Sequence, residues 1–69
     1  MDTMTFRQWL AKQENRDDPV GDLARDVKAD KRPAPRVNSY KAWSDHLHRA
    51  GASPAALRAF FAAWREYRP

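Results

Sequence analysis

The stretch from Ser53 to Tyr67 constrains the fold most. It packs two of the three Phe, one of the three Trp and one of the two Tyr into one helical pattern. Ser53 suits an N-cap, and Pro54 suits the first helical position, where a missing N–H costs nothing. Five alanines and no interior glycine favour helix. At about 100° per residue, Leu57, Phe60, Phe61, Trp64 and Tyr67 share one broad face. Such a face needs a partner surface. On the other side Ala55, Ala59, Ala62 and Ala63, with Glu66, read as an outer face. The alternative is a helix buried on both sides, central to the fold or held against a partner.

The rest of the chain supplies apolar stripes of the same kind. Thr5 and Gln8 are spaced as a capping box, opening a short helix to about Gln13 with Phe6, Trp9 and Leu10 buried. Arg7 and Lys12 on it should face water. Asp18 and Pro19 start a second helix, on which Val20, Leu23, Ala24 and Val27 keep the i, i+3, i+4, i+7 rule. Gly21 is a poor helix former, which suggests close packing against a bulky neighbour such as Trp9 or Trp64. Lys31 to Asn38 contains Pro33 and Pro35 and must be extended, with Val37 as its anchor to the core. Ser39 caps a third helix carrying Tyr40, Trp43 and Leu47, and Gly51 ends it. The expectation is one all-α domain over residues 1–69, a bundle of about four short helices.

Composition narrows the function classes. There is no cysteine, hence no disulfide framework and no thiolate metal site. The N-terminus shows no basic region followed by an apolar run, and the apolar run through Phe60 to Trp64 is far short of a membrane span. The expected setting is therefore cytoplasmic, with no membrane partner. The net charge of +4 is unevenly spread. Residues 1–30 hold five basic and seven acidic side chains; residues 31–69 hold eight basic and two acidic. A basic half attracts acidic proteins or nucleic acid, and a molecule with two unlike ends can attract its own copies.

At this point Phe6-x-x-Trp9-Leu10, the run Arg16-Asp-Asp-Pro-Val-Gly-Asp-Leu-Ala24, Tyr40, Leu47, and Phe60/Phe61-x-x-Trp64-x-x-Tyr67 together resemble the small bacterial YozE-like proteins. The resemblance spans about Thr5 to Tyr67, and the Asp-Asp-Pro-x-Gly-Asp-Leu-Ala run is its most specific part. It implies a fold similar to the sterile alpha motif and carries no biochemical activity with it. The family often has an aromatic residue where Arg32 precedes Pro33 here.

The residues offer little catalytic chemistry. His46 and His48 stand two apart on a helix and point away from each other, whereas paired metal-binding histidines need i, i+4. Pro19 and Val20 break any calcium-loop reading of the aspartates. No phosphate-cradling glycine loop or serine elbow is present, so no enzyme, cofactor, metal or small-molecule substrate is expected. Charge is what remains. Asp22, Asp26 and Asp30 recur at i, i+4 as an acidic stripe, a candidate partner-binding face. Lys31, Arg32 and Arg36 on the crossover, with Arg58 and Arg65 on the last helix, form a candidate basic face. No exposed aromatic platform is expected, because each aromatic belongs to a core stripe. The reading is a non-enzymatic module that binds another protein or itself. The alternative is weak, sequence-independent nucleic-acid binding through the basic half.

Overall fold

A computed structural model of the chain describes residues 4–68. Four helices account for its regular structure: α1 Phe6–Ala11, α2 Pro19–Ala29, α3 Tyr40–Arg49 and α4 Pro54–Tyr67. Each begins one residue after the side chain that caps it. Thr5 and Gln8 close a reciprocal capping box, and Asp18, Ser39 and Ser53 accept from the N–H three residues on. Gly51 ends the α3 segment with φ at +76°, a conformation that L side chains rarely adopt. No helix among the described residues is long and apolar enough to cross a membrane.

The centre of the core is Phe6, on the shortest helix. It is fully buried, and its ring lies 4.8–5.9 Å, centroid to centroid, from those of Trp9, Trp43, Phe60, Trp64 and Tyr67. A six-residue helix has no stability of its own in water, so α1 exists because Phe6 and Leu10 are buried against its neighbours. Hydrogen bonds fix it there. The Phe6 N–H donates to Asn38 Oδ1 at 2.9 Å, at the far end of the crossover. Asn38 Nδ2 donates to the Tyr67 hydroxyl, which donates in turn to the Met4 carbonyl at 2.6 Å. The start of α1, the end of the crossover and the last turn of α4 are thereby joined.

Helix α4 is rotated from the orientation its aromatic face implies. Ala59 and Ala63 are buried, not on an outer face, whereas Ala55, Ala62 and Glu66 are exposed, and α4 packs most extensively against α2. Alanine lets two helix backbones approach closely, so the alanine side is where α4 gains its densest contact. Phe60 then points to Phe6 and Tyr40, and Phe61 is turned outward, 52% exposed. Tyr40, also expected in the core, lies at the rim, 40% exposed and stacked on Phe60 at 4.7 Å. Leu57, Trp64, Tyr67, Trp9 and Val27 are partly buried around the core.

Two further expectations give way. Val37 is 64% exposed, and Ala34 pins the crossover to the core instead. Gly21 is buried, but neither Trp9 nor Trp64 explains it. A Cβ there would stand 2.0 Å from the carbonyl oxygen of Arg16, so the constraint is backbone against backbone.

Candidate functional site

The run from Arg16 to Ala24, the most specific stretch of the sequence, folds into a clasp. Arg16 donates to both carboxylate oxygens of Glu66 on α4, at 2.8 and 3.1 Å, and from Nε and Nη2 to Asp18 Oδ2, at 3.0 and 2.7 Å. The other Asp18 oxygen caps α2 by accepting the Gly21 N–H at 3.0 Å. Arg25 reaches back to the carbonyls of Glu14 and Arg16. One guanidinium therefore ties the turn before α2, the cap of α2 and the last turns of α4. Arg16 and Asp18 of this run are spent on holding the chain together.

The clasp is sensitive to acid. The Gly21 N–H and then Arg16 hold the Asp18 carboxyl below its ordinary value of 3.8. The Arg16 hydrogen bonds hold Glu66 below its ordinary 4.5. These carboxylates, Glu66 first, push the Arg16 guanidinium up. A carboxyl whose value is lowered by folding contributes stability that is present above its unfolded value and is lost as pH falls through its folded value. Thermal unfolding followed by circular dichroism should thus show the melting temperature falling as pH drops below about 4.5. Arg16→Met should lower it at pH 7 and flatten that fall. An equally steep acid limb in the variant would mean that other carboxylates set it.

The acidic stripe is less uniform than its spacing implies. Asp22 is exposed on α2 and pairs with Arg25, and Asp26 is exposed beside it. Asp30 is not on the helix face, because α2 ends at Ala29 and Asp30 is its C-cap. It is only partly exposed; its Oδ1 accepts the Arg32 N–H at 3.0 Å and its Oδ2 lies 3.8 Å from His46 Nε2.

The basic residues divide into three places. Lys31 and Arg32 line a groove of about 380 Å³ that they share with Arg7 of α1 and Lys28 of α2. Arg36 lines another, of about 340 Å³, with Arg49 and His46 of α3. Arg58 and Arg65 are exposed on α4 and line neither groove. They stand instead beside Phe61, three residues before it and four after, with the Arg65 guanidinium 5.7 Å from the centre of the Phe61 ring. Half-buried Trp64 and Leu57 adjoin Phe61 on the same face, and Tyr40 meets Trp64 edge-on at 5.7 Å. An aromatic platform is therefore exposed after all. The sequence signal that could have revealed it is the arginine pair itself, since Arg58, Phe61 and Arg65 fall on one helical stripe.

Among the described residues no group of three or more His, Cys, Asp or Glu is gathered as a metal site would need. His48 Nδ1 is engaged by the Ser44 carbonyl at 2.7 Å, and His46 packs edge-on against Trp43. Searches against curated proteins and solved structures return no match to the chain. A family described as YozE SAM-like fold matches over residues 5–69, and the four helices with their shared aromatic core agree with it. The chain belongs to the YozE SAM-like fold family.

Proposed function

We propose that the chain is a small non-enzymatic binding module whose partner is another protein, engaged through the exposed aromatic and arginine strip of α4. The observation that carries this is Phe61, half exposed with Arg65 over its ring and Arg58 one turn away. A phenylalanine held open to water gains by being covered, and aromatics with arginine are the residues enriched at the centres of protein interfaces. Tyr40 and Trp64 extend the strip onto the next helix. The arginines select a partner with carboxylates near an apolar side chain. A second copy offers Asp22 and Asp26 on α2, and such a head-to-tail contact would build open chains.

A second reading rests on the same ring. A flat aromatic face beside two cations can stack a nucleobase and hold its phosphates, giving weak binding without sequence preference. Photo-cross-linking separates the two. With benzoylphenylalanine at position 61, cross-links in whole cells should run as discrete protein adducts that survive nuclease and disappear when Arg65→Glu is added. The same group at position 12 should give none of them. Adducts that nuclease removes would transfer the strip to nucleic acid, and adducts shared by both positions would dismiss it as a binding face.

A further inference from the structure

We propose that the groove between α1, α2 and the crossover is a second docking site, for an extended acidic peptide segment carrying an aliphatic side chain. Four cations from three elements converge on it: Arg7 from α1, Lys28 from the last turn of α2, and Lys31 and Arg32 from the crossover. Arg7 and Lys31 make no ion pair among the described residues. Lys28 pairs with Glu14 at 3.1 Å across exposed surface, a contact that an incoming carboxylate can displace at little cost. Asp30 also lines the groove; its Oδ1 accepts the Arg32 N–H and lies 4.0 Å from Arg32 Nε, and its Oδ2 faces His46, so it offsets Arg32 and leaves Arg7, Lys28 and Lys31. The balance is cationic.

The floor decides the class of partner. Leu10, Val27 and Ala34 line it together with Ala11, Ala24 and Pro33, and no aromatic residue is among the lining. Single-stranded nucleic acid adds to its phosphate contacts by stacking bases on aromatic rings, which this floor does not provide. An aliphatic side chain does gain there, at roughly 25 cal/mol per Å² removed from water. At about 380 Å³ the groove is at the small end of ligand sites, enough for a short segment rather than a folded surface. The acidic face of a second copy is a helix surface, Asp22 and Asp26 with Arg25 between them, and not an extended segment with an aliphatic side chain to seat on the floor. This site is separate from the α4 strip, and its failure would leave the strip untouched.

The test is fluorescence anisotropy with three labelled probes: a hexapeptide alternating Glu and Leu, hexaglutamate, and a single-stranded hexanucleotide. The alternating peptide should bind tightest although it carries the least charge. Arg7→Gln with Lys31→Gln should weaken it about tenfold, at an unchanged melting temperature. Arg58→Gln with Arg65→Gln should leave it unchanged. Equal or tighter binding of hexaglutamate or of the hexanucleotide would overturn the proposal in favour of bulk charge or nucleic acid. So would an equal loss in the Arg58 and Arg65 variant, or no binding of the alternating peptide at millimolar concentration. A dimer in sedimentation that dissolves on changing Arg7 and Lys31 would give the groove to a second copy and overturn it as well.

Discussion

Phe6→Ala is expected to leave the chain without a cooperative unfolding transition. Truncating a buried phenylalanine costs about 3–5 kcal/mol, the transfer of the ring plus the cavity it leaves. A chain of 69 residues has a total stability of only about 3–10 kcal/mol, and small domains sit at the lower end. The site offers no easy collapse, because four of the five aromatic rings around Phe6 are held by other helices, Trp43 by α3 and Phe60, Trp64 and Tyr67 by α4. Its helix is six residues long and would not persist once its anchor is gone. Phe61→Ala is the control. That ring is half exposed, and its loss should cost only about 1 kcal/mol. Urea unfolding followed by tryptophan fluorescence separates the two. A Phe6→Ala protein that unfolds cooperatively with a loss under about 1 kcal/mol would show that Phe6 is not the keystone.

That contrast marks what the sequence could carry. All four N-caps were legible, because a cap is decided by a side chain and an N–H three residues away. Most core positions were legible on the helices with one apolar stripe, α1 and α2. Helix α4 is apolar around most of its circumference, aromatic on one side and alanine on the other. Local spacing then cannot say which arc faces the bundle. The outcome is set by how closely α2 can approach, and the alanines allow the closer contact. Phe61 is turned outward for that reason, and Tyr40, at the first position of α3, reaches only the rim, stacked on Phe60.

The charged surfaces followed the same division. Asp22 and Asp26 lie on the helix face their spacing implies, but Asp30 does not, since α2 stops one residue before it. Lys31 and Arg32 adjoin in the chain, so their clustering was visible. Arg7 stands more than twenty residues away and joins them only because α1 packs beside α2. Arg58 and Arg65 share charge with the crossover but line neither of its grooves. The bond from Arg16 to Glu66 spans fifty residues and leaves no local signal at all.

Gly21→Ala is expected to destabilise, against the direction that helix propensity gives. In an open helix the change should add about 1 kcal/mol, because alanine restricts the unfolded chain and glycine does not. Here the new methyl group would stand 2.0 Å from the Arg16 carbonyl oxygen and 2.7 Å from its carbon. Those are backbone atoms, and they cannot swing aside as a flexible side chain would. Arg16 is held on both sides, by Asp18 and Glu66 through its guanidinium and by Arg25 through its carbonyl. Relief would have to move the turn before α2, and with it the clasp that joins α2 to α4. Overpacking of this kind costs about 1–3 kcal/mol and occasionally more, and the immobility of the carbonyl puts this site at the upper end. The net loss should be about 2 kcal/mol, a large part of the total. Urea midpoints of the wild type, Gly21→Ala and Gly21→Ala with Arg16→Met would locate the strain. If the turn yields once Arg16 is freed, Gly21→Ala should cost less in the Arg16→Met background than in the wild type. A Gly21→Ala protein as stable as the wild type would mean that the turn moves freely, and that the clasp is not what fixes α2 against α4.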